Sequence, residues 1–265
     1  NENSAVGRIY AYLYQKSEGA GKLQESWTIT GSFHAGRTGA SMAVSNQILA
    51  FSEPAFNTTK SGRDHNFLHR AWYDELGSVR DGTTLRAGRV IVVPLGALQQ
   101  HALTRTGATE VPDFKVSELA SLLGDDFIEL SGRSFEGRFG SQVAFSASKD
   151  YSQLSLVVSD PMSHYGAGSV HTYKVNMSAD KASEKIVASR CIHGQELFGF
   201  HSKGRFGSTL AVRTITRDHG ERKHRIVIGA PFSSHINETV LSVTGTNEYT
   251  KKEEFGSVVE VELVY

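Results

Sequence analysis

One nine-residue phrase stands three times in this chain: Gly36-Arg37-Thr38-Gly39-Ala40-Ser41-Met42-Ala43-Val44, Gly137-Arg138-Phe139-Gly140-Ser141-Gln142-Val143-Ala144-Phe145 and Gly204-Arg205-Phe206-Gly207-Ser208-Thr209-Leu210-Ala211-Val212. Internal repetition fixes an architecture before any single motif is read, because each copy must fold as the same unit and pack on its neighbours. An apolar run closing on proline follows each phrase: Ile48 to Pro54, Leu154 to Pro161 and Arg225 to Pro231. After a gap of variable length a glycine opens an alternating run, at Gly88, Gly168 and Gly256, with a further copy alone at Gly7. A fourth run precedes each phrase and ends in glycine: Trp27 to Gly31, Ile128 to Gly132 and Arg190 to Gly194.

Runs of β-branched and aromatic residues bounded by Gly, Pro, Asn and Asp predict strands. Four such strands repeating every few tens of residues describe a blade of a β-propeller, which limits exposed sheet edges by closing radially. The fold class expected is therefore all-β, a propeller of four-stranded antiparallel blades. Innermost strands crowd together around an axis, which suits Gly39, Gly140, Gly207, Ala43, Ala144 and Ala211. Pro54, Pro161 and Pro231 close the second strands, where a ladder donor is no longer needed.

The order Phe-Gly-Ser-x-apolar-Ala, an apolar run to Gly-Ala-Pro, then Gly-x-Val resembles the FG-GAP repeat. Integrin α-chain propellers carry that repeat, as does the C-terminal region of the glycosylphosphatidylinositol-specific phospholipase D family. Phe206-Gly207 with Gly229-Ala230-Pro231 is the best copy, Phe139-Gly140 with Ser159-Asp160-Pro161 a good one, and Thr38-Gly39 with Ser52-Glu53-Pro54 a degenerate one. The repeats span residues 1–265 as one propeller segment: a half blade at 7–31, a blade at 36–131 with insertions at 57–86 and 97–126, a blade at 137–194, and a last blade at 204–263. Both ends of this count lack strands, so the expectation is about three and a half blades of a larger propeller of about seven, with earlier blades upstream of Asn1. A divergent short propeller closing by itself is the alternative.

The 28 basic residues equal the 28 acidic ones, which removes any general attraction to nucleic acid or to an anionic membrane. No apolar run reaches the ~18 residues of a transmembrane helix. Cys191 is the single cysteine, so the chain makes no internal disulfide. Its place in an outer strand with apolar neighbours predicts a buried thiol, with a bond to another segment as the alternative. Three glycosylation sequons, at Asn57, Asn176 and Asn237, fall in predicted loops and point to a secreted, extracellular protein.

Long insertions on a rigid scaffold are the usual home of function. Residues 57–86 mix Arg63, Asp64, His65, His69, Arg70, Trp72, Tyr73, Asp74 and Glu75. Residues 113–124 place Val116, Leu119, Ala120 and Leu123 on one face and stop at Gly124, which predicts a short amphipathic helix that packs on the propeller side or docks a partner. Catalytic patterns are missing: His65 and His69 have metal-helix spacing without the adjacent glutamate, and there is no nucleophile elbow or phosphate loop. His171 is expected in a strand, and His193, His201, His219, His224 and His235 in or beside loops. No catalytic, cofactor or metal residue is assigned.

Many FG-GAP blades bind calcium through an acidic loop between their first two strands. This chain departs from the pattern: Ser45-Asn46-Gln47 has no acid, Asp150 stands alone, and Asp218 and Glu221 are crowded by Arg217, Arg222 and Lys223, so calcium is not expected here. The resemblance then implies a non-catalytic propeller portion of a secreted phospholipase D-like hydrolase. A zinc phospholipase domain would lie upstream in the same protein and cleave the inositol phosphate bond of an anchor. The alternatives are an integrin-like adhesion propeller binding a protein or glycolipid ligand through loops 57–86 and 232–254, and a stand-alone FG-GAP scaffold.

Overall fold

The computed structural model describes residues 6–16, 21–33, 35–59, 83–84, 86–105, 111–134, 136–147, 154–176, 185–194, 203–216, 222–233 and 256–262. Its strands, in chain order, are β1 (Arg8–Lys16), β2 (Gly21–Thr30), β3 (Met42–Ser45), β4 (Ile48–Glu53), β5 (Thr58–Thr59), β6 (Thr83–Thr84) and β7 (Arg89–Pro94). Helix α1 (Leu95–Arg105), β8 (Asp113–Lys115), helix α2 (Val116–Leu123) and β9 (Ile128–Ser131) follow. The remainder is β10 (Val143–Ala147), β11 (Leu154–Asp160), β12 (Ser169–Val175), β13 (Ile186–His193), β14 (Thr209–Thr216), β15 (Arg222–Ala230) and β16 (Ser257–Glu262).

These strands make four main sheets, ordered β1-β2-β8, β3-β4-β7-β9, β10-β11-β12-β13 and β14-β15-β16, beside the small pair β5-β6. Each main sheet is an antiparallel meander except for β8, which joins β2 in parallel. The expected strand order thus holds in the two four-stranded sheets. The first sheet differs from the expected pair of strands, because the insertion at 97–126 returns to supply β8, whose Asp113 Oδ1 accepts the hydroxyls of Thr28 at 2.5 Å and Thr30 at 2.7 Å.

Successive sheets lie face to face, and period-two alternation divides each strand between two cores. Ile9, Trp27 and Ile29 of the first sheet meet Leu49, Phe51, Ile91 and Val93 of the second. The opposite face of the second, with Ala50, Val90 and Val92, meets Leu156, Val158 and Tyr173 of the third. Val157, Val170 and Ile192 then meet Ile226 and Ile228 of the fourth. Strands β4 and β11 are covered on both sides, so every residue in them is buried, the polar Ser52, Glu53, Ser155, Ser159 and Asp160 included. Burying a side chain the size of Phe51 contributes about 1.5–3 kcal/mol.

The repeated phrase forms the junction between sheets. Thr38, Phe139 and Phe206 donate their N–H groups to Val6, Ala87 and Ala167 of the preceding sheet, at 3.0, 2.9 and 3.0 Å. Gly39, Gly140 and Gly207 donate to Ser52, Ser159 and Gly229 of their own second strand, at 2.9, 2.8 and 3.0 Å. Arg37, Arg138 and Arg205 all take left-handed backbone angles, with φ of 60°, 63° and 51°. Side-chain contact joins the first strands as well: Ser41 Oγ accepts Val143 N–H at 2.9 Å. Ala43 and Ala144 are half-buried in that strand layer, whereas Ala211 is exposed.

Two departures concern the insertion. Helix α1 was not anticipated; Leu98 and Ala102, four residues apart, seat it in the first core. The expected helix at 113–124 begins only at Val116, because Asp113 to Lys115 extend to pair with β2. Val116, Leu119 and Leu123 are buried in the first core as expected, but Ala120 is exposed. No helix among the described residues is long and apolar enough to cross a membrane.

Candidate functional site

Pairing in the third sheet sets three rows on the face turned toward the second sheet: Asp160, Ser169 and His193; Val158, His171 and Cys191; Leu156, Tyr173 and Ser189. The turn after β9 and Phe139 close over these rows, leaving a partly open cleft bordered by Gly132, Arg133, Asp160, His171, Tyr173 and Cys191. The site exists because one strand face carries polar residues where its neighbours carry apolar ones.

Cys191 Sγ lies 3.8 Å from His171 Nε2 and 3.8 Å from His193 Nδ1. Its neighbours are therefore imidazoles and not the apolar side chains expected from sequence, and the thiol is half-buried, not buried. Cross-strand pairing brings His171 opposite Cys191, and two-residue spacing brings His193 to the same side. Ser169 Oγ stands 3.2 Å from His171 Nε2 and 2.8 Å from Ser163 Oγ, which donates to Asp160 O at 2.9 Å. Phe139 meets the His171 ring edge-on at 5.2 Å, and His164 meets His193 edge-on at 4.9 Å. His193 is the last residue of β13, at the strand end as expected, and is buried. Burial, with the nearby His193, pushes the His164 pKa down to about 4.

Asp160 is 2% exposed, and its Oδ1 has no hydrogen-bond partner. Desolvation raises its pKa well above the ordinary carboxylate value. Repetition makes this acid interpretable, because Glu53 holds the same place before the proline in the second sheet. There the carboxylate accepts the Thr38 hydroxyl and Arg89 Nε, the latter at 2.6 Å, while the Arg89 guanidinium lies 3.5 Å from the centroid of the Phe56 ring. In the third sheet Phe139 replaces Thr38, Ser169 replaces Arg89 and Ser163 replaces Phe56. In the fourth, Ala230 removes the acid itself. The third sheet keeps a buried acid and has lost its cation. Aligning the three copies residue by residue exposes this loss in the sequence alone; the partners around Cys191 needed the strand register.

The sequon residues take different positions. Asn57 Oδ1 accepts Arg86 N–H at 2.9 Å, and its threonine belongs to β5, so this sequon enters a strand where a loop was expected. Asn176 follows β12 directly, its N–H bonded to Lys185 O at 2.8 Å. Asn237, His65, His69, Asp150, Asp218 and Glu221 lie outside the described residues. Asn46 and Gln47, with φ of 45° and 59°, form the tight left-handed turn between β3 and β4 and offer no carboxylate to a cation. Among the described residues no group of three or more His, Cys, Asp or Glu is arranged to hold a metal ion. Pro54, Pro161 and Pro231 each follow directly on the last residue of β4, β11 and β15. No family model matches the chain, and no curated protein matches it.

Proposed function

We propose that this chain is a non-catalytic β-propeller segment of the FG-GAP type. In this reading it serves a secreted hydrolase similar to the glycosylphosphatidylinositol-specific phospholipase D family as the scaffold beside a zinc phospholipase domain. The observation that carries the propeller reading is the junction repeated three times, in which Thr38, Phe139 and Phe206 bond the preceding sheet through the same backbone groups. One relation applied again and again generates a regular stack, and the contact of β10 with both β3 and β14 favours a stack that turns about its first strands.

The outward face of the first sheet supports the same reading. Tyr10 and Tyr12 are 51% and 55% exposed, yet they correspond in the repeat to Ile91 and Val93, and to His171 and Tyr173, which lie against a preceding sheet. An apolar face of this kind suits a further blade. The hydrolase role rests on the motif resemblance quoted above and on nothing else.

The test is release of a lipid-anchored reporter by the 265-residue chain and by the natural polypeptide that contains it, each with zinc supplied. The chain by itself should release none and the natural polypeptide should release it. Release by the chain alone would overturn the non-catalytic assignment, and inactivity of both would remove the hydrolase. Electron cryomicroscopy of the natural polypeptide addresses the propeller separately, since a straight stack of sheets would exclude radial closure.

A further inference from the structure

The cleft of the third sheet combines two features that the repeat does not require. One is a thiol between two imidazoles; the other is a buried carboxyl whose counter-charge has been substituted away. Both line the same space. We propose that Cys191 is a reactive thiol at which the protein is S-thiolated by a small amino-acid disulfide of the cystine class, with His171 and His193 accepting the thiol proton and Asp160 receiving the ammonium group.

The chemistry follows from the surroundings of the sulfur. Thiolate is the attacking species in disulfide exchange, and nearby cationic groups or proton acceptors increase its share. Facing Cys191 are His171 and Tyr173 from β12, His193 from β13, and the acid Asp160 from β11; Arg133 and Arg190 border the same cleft. Transfer of the thiol proton to either imidazole leaves a thiolate beside an imidazolium. The thiolate attacks one sulfur of the disulfide, forming the new S–S bond as the old one breaks, and the departing thiolate takes the proton back. The balance is one protein thiol plus one disulfide, giving one mixed disulfide plus one free small thiol, with the small disulfide as oxidant.

Asp160 makes the site selective for an amine-bearing reagent. In the second sheet the guanidinium of Arg89 occupies the place beside the equivalent acid, so a cation is the group that this position accommodates elsewhere in the same molecule. In the third sheet Ser169 and Ser163 are too short to reach that place with charge, and the Oδ1 atom is left without a donor. An incoming ammonium group would supply one, and the buried carboxyl would ionise as it binds. Phe139 and Tyr173 line the same cleft.

Intact-mass kinetics on the full chain provide the test, with cystine and the neutral 2-hydroxyethyl disulfide as probes across pH 5 to 9. Cystine should add one cysteinyl group, absent in Cys191→Ser, with a rate midpoint below the ordinary thiol value of about 8.5. His171→Gln and His193→Gln should each move that midpoint upward. Asp160→Asn should slow cystine about tenfold, the factor that one charge-assisted hydrogen bond supplies, and leave the neutral disulfide unchanged. A thiol that reacts only after urea unfolding, or a wild-type midpoint at the ordinary value, would overturn the proposal. So would an Asp160→Asn variant that changes both probes equally or neither. Should a histidine variant unfold, the wild-type midpoint and the two-probe comparison at Asp160 still decide.

Discussion

Arg89 Nε donates to Glu53 Oε2 at 2.6 Å inside the second sheet, where the glutamate side chain is wholly buried. Arg89 also reaches Glu129 Oε2 at 3.0 Å, so one cation on β7 serves carboxylates on the two strands that flank it. Such a pair gains little over a well-packed apolar pair, because desolvation of both charges offsets their attraction. Breaking it is another matter.

Arg89→Met should therefore lower stability by about 3–5 kcal/mol in urea unfolding, since it strands a buried carboxylate. The double variant Glu53→Leu with Arg89→Met should recover most of that loss. A double variant as unstable as the single one would show that packing around Arg89, and not the stranded charge, sets the cost.

Asp160 presents the same acid without the arginine. Its folded pKa is raised by burial, so between the unfolded value near 3.8 and the folded value the unfolded chain has lost a proton that the folded chain keeps. Stability should fall as pH rises through that window, by about 1.4 kcal/mol per pH unit from this group. The difference in unfolding free energy between wild type and Asp160→Asn, followed from pH 4 upward, should carry that slope. A flat difference curve would mean that Asp160 is solvated in the folded protein.

His164 acts with the opposite sign. Its folded pKa, about 4, lies below its unfolded value of 6.5, so its contribution is present above pH 6.5 and is lost as pH falls toward 4. A proton NMR titration should place the His164 ring midpoint near pH 4, and His193→Gln should raise it by removing a neighbouring charge. A midpoint near 6.5 would contradict its burial.

Two glycines with positive φ separate backbone strain from crowding. At Gly140, φ is 89° and an added Cβ would sit 2.8 Å from Ser52 Cβ and 2.9 Å from Val90 Cγ2. At Gly124, φ is 55° and nothing lies within 4 Å. Gly124→Ala should cost about 1–3 kcal/mol from backbone strain alone, since its ψ of −121° lies outside the left-handed helical region, and Gly140→Ala about 1–3 kcal/mol more, because the sheet junction must open. Equal thermal shifts for the two would show that the junction adapts at little cost.

The strand pattern was legible because it depends on neighbours in sequence. The mainly apolar stretches Ile48 to Phe51 and Leu154 to Val158, bounded by turn residues, mark strands buried on both faces. The first-sheet extension was not legible: β8 is three residues long and takes its identity from parallel pairing with Thr28 to Thr30, some 85 positions away. Helix α1 was hidden for a similar reason, since the surface against which Leu98 and Ala102 pack is built by distant strands.

The sequence alone determined the repeating four-strand unit, the glycine-bearing phrase that starts it and the proline that ends its second strand, because these follow from local backbone preference and periodic burial. Tertiary structure decided which polar residues meet. Cys191 gained two imidazole neighbours through cross-strand register and face, and the burial that leaves Asp160 Oδ1 without a donor came from the packing of the third sheet on its neighbours. Side-chain chemistry at a site depends on proximity in space, and in a β-sheet that proximity is set by pairing across strands and not by spacing along one.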